Sequence, residues 1–314
     1  MTELLRQVQA RYGARIENQN TLGNSANIIY ELTVGDLPAI LRLSEYSPAK
    51  AEHVRLELAW MRYLMQDVPE IAGPIPSVSG KLFEVIEAEN SRWIACVFHR
   101  APGRLVDTGN AAEWNPALFR RLGEVTGKMH TATRPYVRAT GIDGQLNWRH
   151  NYLFWPENNR LSDPDIEPVW EQALGEMERL PGPPDDFGLV HTDIHYLNFH
   201  VQDGNITLFD FDDCEYGWYA YDLASTLFFM AGTGDYRDPE SGRATLEGFA
   251  VPYLQGYRKH AKLPAHWGAM MPLFLRYRRL AQYKFFYNRF GGRQNPHEAY
   301  LAWVKEDILQ GFPY

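Results

Sequence analysis

GLVHTDIHYLNFHVQDGNITLFDFDDCEYGWYAYDLA, residues 188–224, is the stretch from which the fold is read. Gly188-Leu189-Val190 runs into His191-Thr192-Asp193, and four residues intervene before Asn198. Phe199-His200-Val201 alternates, Asp203-Gly204 turns, and Ile206-Thr207-Leu208-Phe209 reads as the returning strand, a strong hairpin pattern. The second strand delivers Asp210-Phe211-Asp212 at its end. Asp193 and Asn198 therefore sit on the entering loop and Asp210 at the exit. An amide oxygen and a carboxylate, Asn198 and Asp210, are hard ligands suited to Mg2+, an ion that keeps several waters and takes further ligands from nucleotide phosphates. Asp193 is then left to orient a substrate hydroxyl and accept its proton. That is the division of labour in phosphoryl transfer, where the protein positions and neutralises.

Working outward, the preceding chain reads as strands, one helix, then strands. Residues 27–34 and 39–43 are short, apolar and β-branched around Gly35-Asp36, a hairpin signal blurred by Pro38. Val54, Leu58, Met61 and Met65 form one face of a helix over 49–66, and residues 82–87 and 93–98 read as two more strands. Ala101-Pro102-Gly103 is the best boundary. Beyond it Leu118, Leu122, Val125 and Met129 mark a helix at about 116–131, residues 145–165 are aromatic and irregular, and 244–262, 271–289 and 296–310 read as helices. The fold class is α+β, with a strand-rich lobe over 1–100 and a helical lobe over 101–314.

The order H-x-D-x-x-x-x-N, then D-F, is that of a kinase catalytic loop followed by its metal loop. With Asp212 and Tyr221-Asp222-Leu223-Ala224 trailing it, the sequence resembles the aminoglycoside phosphotransferase/choline kinase superfamily and its homoserine-kinase-type and stress-kinase-like relatives. The resemblance implies a two-lobed protein-kinase-like fold, ATP and Mg2+ as cofactors, Asp193 as the catalytic base and Asn198 and Asp210 as the metal ligands. It makes Asp222 a buried acid that hydrogen-bonds the catalytic loop, and His191 a core histidine holding that loop. Thr192 stands where the family often has Gly, and Tyr196 where Pro is common. Upstream, Gly23-Asn24-Ser25 resembles the family's phosphate loop, whose backbone N–H groups would cradle ATP; such a turn is equally read as a plain turn. Arg42 occupies the place of the kinase strand lysine and would clamp phosphates bidentately. Glu57 is its expected ion-pair partner. Phe98-His99-Arg100 resembles the hinge, where backbone groups would bind adenine.

Other readings stand beside this one. His191, Asp193, His195 and His200 also fit a metal cluster of a hydrolase. Asp213 and Glu215 read as solvated turn charges, and Cys214 as a small packing residue. A protein Ser/Thr kinase would use the same site, although no activation segment follows Asp212. A nucleotide-binding pseudoenzyme is the third reading, against which the intact Asp193/Asn198/Asp210 set argues. Arg276, Arg278, Arg279, Lys284 and Arg289 lie on one helix with no Asp or Glu between Met271 and Arg293. This is either a solvated basic face or a wall suited to a carboxylate or phosphate on the acceptor, and it disfavours a polycationic aminoglycoside. The acceptor implied is a small-molecule alcohol.

Composition narrows the class further. Apolar residues make up 45% of the 314, enough for large cores and against disorder. The formal charge of −8 lacks the footprint of a nucleic-acid or anionic-membrane binder. Cys96 and Cys214 are too few for a disulfide scaffold, and the charged N-terminus has no signal-peptide core; a cytoplasmic protein is expected.

Overall fold

A computed structural model describes residues 2–16, 23–24, 27–88, 90–140, 147–150, 163–180, 185–232, 239–290 and 298–311. In chain order the elements are α1 (Thr2–Tyr12), β1 (Ala14–Arg15), β2 (Gly23–Asn24), β3 (Ile28–Val34), β4 (Leu37–Glu45), α2 (Pro48–Leu64), β5 (Pro74–Ile75), β6 (Phe83–Ala88) and β7 (Ser91–His99). There follow α3 (Pro116–Thr140), α4 (Glu167–Glu178), β8 (Phe187–Val190), β9 (Phe199–Gln202), β10 (Asn205–Leu208), β11 (Glu215–Trp218), α5 (Tyr219–Ala231), α6 (Pro239–Tyr257), α7 (Trp267–Phe290) and α8 (Glu298–Leu309). They form two compact units, Met1–Asp107 with Leu197–Asp212, and Thr108–Tyr196 with Asp213–Tyr314.

The first unit is built on a seven-stranded antiparallel sheet with the path β1-β3-β4-β7-β5, β2 adding to β3 and β6 to β7. The hairpin expected around Gly35-Asp36 is β3–β4, with Tyr30 opposite Leu41 and Leu32 opposite Ala39. These side chains, with Leu43, Ile86, Ala95 and Val97, pack against Leu4, Leu5, Val8 and Tyr12 of α1, a helix the sequence reading omitted. Pro38 is tolerated because it pairs near the strand end, and its carbonyl accepts from Arg100 N at 3.2 Å. Helix α2 is capped by the Ser47 side chain, which accepts from Lys50 N at 3.1 Å.

The unit also contains β9–β10, whose two-residue turn has positive φ at both Asp203 (51°) and Gly204 (76°), as a type I′ turn demands. A boundary at Ala101-Pro102-Gly103 assigns this hairpin to the later part of the chain. The structure groups it with the earlier part, through Leu208 bridging Ile71 and Val201 bridging Arg104. Gly103 is required here: its φ is +81°, and a Cβ would lie 2.2 Å from Val201 O.

The second unit is helical around a two-stranded ladder, β8–β11. Trp170 of α4, Trp218, Tyr221 and Ala224 around α5, Phe274, Tyr277 and Leu280 of α7 and Val304 of α8 share one core. Helix α4 falls just beyond the stretch read as irregular, most of which (151–162) lies outside the described residues. Helices α3 and α6 approach unusually closely: a Cβ on Gly256 would lie 1.9 Å from Arg120 O, and one on Gly123 at 1.9 Å from Tyr253 O. No helix among the described residues is long and apolar enough to cross a membrane.

Candidate active site

The chemistry-bearing residues divide between the units, Arg42, Glu57, Phe98, Arg100, Asn198 and Asp210 in the first and Asp193 in the second. In the first unit, β4 places Arg42 against Glu57 of α2. The fork is bidentate, Nη1 to Oε1 at 2.9 Å and Nη2 to Oε2 at 2.6 Å, with the side chains 4% and 0% exposed. Arg42 also lies over the Phe98 ring at 5.0 Å. Both line a cavity of about 350 Å3 with Ile29, Ile40, Ala72, Arg100, His200, Phe209 and Asp210.

The cavity's walls are apolar and aromatic at Ile29, Ile40, Phe98 and Phe209, cationic at Arg42 and Arg100, and acidic at Asp210. That donor set fits an adenine nucleotide with a hard divalent cation. Two of the hinge's backbone groups are used within the unit itself. His99 N donates to Gly73 O at 3.0 Å and Arg100 N to Pro38 O at 3.2 Å, so sheet closure already uses both. Arg100 Nε donates to Glu31 at 3.1 Å.

At the exit of β10, Asp210 has φ +64°, an uncommon backbone for a non-glycine residue. Asn198 is buried at 6% exposure, and its carbonyl accepts from Phe209 N at 3.0 Å, which ties the entry and exit of the hairpin together. Asp212, to which the sequence reading gave no role beyond marking the family, is the centre of a network. It accepts from Asn27 Nδ2 at 2.7 Å, Ser44 donates to Asn27 Oδ1 at 2.6 Å, and Lys50 lies 3.9 Å away. Burial alone would raise the Asp212 carboxyl. Lys50, Arg42 and the hydrogen bond from Asn27 outweigh it and hold the group well below the usual carboxylate range. Asn27, just before β3, is thus tied to Asp212. Gly23 and Asn24 form the short strand β2, and Ser25 lies outside the described residues.

In the second unit, β8 leads into His191, Thr192 and Asp193. Thr192 has φ +65°, which explains why glycine suits this position in the family resembled. The left-handed turn is held from several sides. Thr192 N donates to Asp222 Oδ1 at 2.7 Å, His191 N to Asp222 Oδ2 at 3.2 Å, and Thr192 Oγ1 to Asp213 O at 2.9 Å. Ser225 Oγ donates to Thr192 O. Asp222 is fully buried and also accepts from His130 Nε2 at 2.9 Å. Burial opposes its ionised form, but these donors prevail and depress its pKa. His191 is buried, its Nδ1 accepting from Asp193 N at 3.3 Å.

The Asp193 carboxylate is held at both oxygens. Arg278 Nη2 donates to Oδ1 at 2.8 Å, and His195 Nε2 lies 3.2 Å from Oδ2. Burial would raise this carboxyl; His195, Arg278 and His191 bring it down to about 2. The sequence reading missed the Arg278 contact, although it singled out the helix. The sequence reading left that helix as either a solvated basic face or a wall for an acidic acceptor. Its cations are paired: Arg276 with Glu176, Arg279 with Asp307 at 3.5 Å and Lys284 with Glu167 at 3.0 Å, so acids 28 or more residues away in sequence neutralise these three. Glu215, expected as a solvated turn charge, is buried in β11. The hydrolase metal cluster does not form: among the described residues no three His, Cys, Asp or Glu side chains are gathered to hold a metal. His200, in the first unit, instead pairs its Nδ1 with Ala101 O at 2.9 Å.

With this geometry in place, comparisons with known proteins agree. A family model described as the phosphotransferase enzyme family matches residues 19–273. An amicoumacin kinase of Bacillus subtilis (strain 168) is 30% identical over 319 residues, covering 99% of this chain and 93% of its own. A solved amicoumacin kinase, in complex with AMP-PNP, Ca2+ and Ami, matches at TM-score 0.82 and 27% identity over 99% of this chain and 94% of that one. A microcompartment-associated aminopropanol kinase matches at TM-score 0.71 and 22% identity over 99% and 98%, a likeness of fold.

Proposed function

The chain belongs to the phosphotransferase enzyme family, and from that premise we propose that it transfers the γ-phosphoryl group of ATP to a hydroxyl of a small-molecule acceptor, with Asp193 as base. The observation that carries this reading is the Asp193 carboxylate, ionised and oriented on a loop whose left-handed turn Asp222 fixes. Asn198 and Asp210 would hold Mg2+, which when bound neutralises charge on the nucleotide phosphates. Arg42, pre-aligned by Glu57, would supply a fixed positive charge to the phosphates, and the apolar walls at Ile29, Ile40 and Phe98 a slot for the base. Asp193 would accept a hydrogen bond from the acceptor hydroxyl, aim its oxygen, and take its proton as the bond to the γ-phosphorus forms and the bond from that phosphorus to the departing ADP oxygen breaks; the proton then passes to water.

Amicoumacin and aminopropanol are the first acceptors to test, since relatives are named for acting on them. The acceptor we propose is not a polycationic aminoglycoside, since the Asp193 carboxylate is already paired with Arg278 and that pair offers a polycation no net negative charge. The test is acceptor-dependent ADP release with Mg2+, wild type beside Asp193→Ala, across amicoumacin, aminopropanol, hydroxy acids and an aminoglycoside. A positioned base contributes about 10²–10⁴-fold, so the variant should lose that much turnover while ATP still binds. Turnover within threefold of wild type would remove Asp193 from the role. An aminoglycoside as best acceptor would overturn the specificity.

A further inference from the structure

Arg278 stands 85 residues from Asp193 in the chain, yet its Nη2 reaches that carboxylate at 2.8 Å. Its guanidinium is itself immobilised. The side chain is 12% exposed, lies over the Phe229 ring at 4.4 Å, and hydrogen-bonds Tyr221. Phe229 and Tyr221 both belong to α5, the helix whose Asp222 holds the backbone of the same loop. Helices α5 and α7 therefore fix both ends of the residue, Asp222 its main-chain frame and Arg278 its carboxylate.

Resting on the assignment of Asp193 as base, we propose that Arg278 is a positioning residue for phosphoryl transfer, holding the Asp193 carboxylate in one rotamer from α7. An ionised carboxylate has about four acceptor sites on its two oxygens. Arg278 approaches Oδ1 and His195 Oδ2, so the carboxylate is held from two directions. A base oriented by a third group is the logic of other catalytic constellations, and a displacement of about 1 Å in such a group costs on the order of 10²-fold. The other charged groups facing Asp193 are His195 and His191 on its own loop; Arg278 is the contribution of α7, with the Tyr221 hydroxyl of α5 as its neighbour.

The test compares Arg278→Met, which keeps much of the packing over Phe229, with Arg278→Lys, which keeps the charge without the fork. With Mg·ATP and amicoumacin or aminopropanol, Arg278→Met should lower kcat by about 10–100-fold with KM for Mg·ATP within twofold, and Arg278→Lys should recover part of the loss. In parallel, the Asp193 carboxyl is followed by 13C NMR against pH, a readout that needs no acceptor. Its midpoint should move up from about 2 toward the ordinary carboxylate value in Arg278→Met. An unmoved midpoint or an unchanged kcat overturns the proposal. So does a fall in kcat accompanied by a fall in melting temperature and an unmoved midpoint, which is a structural role only. Asp193→Asn distinguishes the two levels: full activity there refutes the base assignment, whereas an inactive Asp193→Asn with a normal Arg278→Met refutes Arg278 alone.

Discussion

Asp222→Asn probes how the loop that carries Asp193 is held. The wild-type carboxylate is fully buried and accepts from Thr192 N at 2.7 Å, His130 Nε2 at 2.9 Å and His191 N at 3.2 Å. With the His130 ring neutral, as its burial favours, Nε2–H donates to Asp222 while Nδ1 pairs with the Tyr257 hydroxyl at 3.0 Å. Asparagine keeps one acceptor oxygen and turns an NH2 group toward donors that have nowhere else to go. Two charge-assisted bonds are lost, each worth about 1.5–3 kcal/mol, which gives about 3–6 kcal/mol. For a unit of this size that is a fall of about 6–24 °C in melting temperature.

The pH dependence has a fixed sign. The folded pKa of Asp222 is depressed, so its contribution is fully present above the unfolded value near 4 and is lost as pH falls through the lower folded value. Asparagine has no such dependence. Urea unfolding of wild type and variant should show a stability gap that is flat above about pH 5 and narrows below about pH 4. A gap under about 1 kcal/mol at pH 7, or one unchanged at pH 3, would refute the argument that this carboxylate holds the loop.

Two further perturbations test the packing on which the site rests. Glu57→Ala leaves the Arg42 guanidinium buried without its bidentate partner and should cost about 3–5 kcal/mol in urea unfolding, with Glu57→Gln costing less; equal stability of wild type and Glu57→Ala would show that Asp212 alone already balances the Arg42 charge. Gly256→Ala places a methyl group 1.9 Å from Arg120 O and should force α3 and α6 apart at a cost of about 1–3 kcal/mol, read as a lower melting temperature; an unchanged value would contradict the close approach.

Much of the site was legible because its signals are local. The β9–β10 hairpin follows from alternation and from two residues that tolerate positive φ, so the spacing of Asp193, Asn198 and Asp210 could be read along the chain. The Arg42–Glu57 pair was legible for a similar reason: a strand and the helix after it are 15 residues apart, and the family resembled uses that pairing. Asp222 was named for its place after the metal loop, and its bonds to Thr192 and His191 are those the resemblance implied.

By itself, then, the sequence determined the class of fold, the two β-hairpins and the residues proposed to carry the chemistry, because period and turn propensity act over a few residues. Tertiary structure alone decided partner choice. A run of cations without an intervening acid reads as an exposed face, since nothing nearby in the chain neutralises it. Packing brought Glu176, Asp307 and Glu167 to that helix and turned Arg278 onto Asp193. The same holds for Glu215, whose strand paired with β8 and so became buried, and for the hairpin that a linear boundary separates from its unit but Ile71 and Arg104 bind back to it. Charge pairing and desolvation depend on which surfaces meet, and over separations of tens of residues no local pattern encodes that.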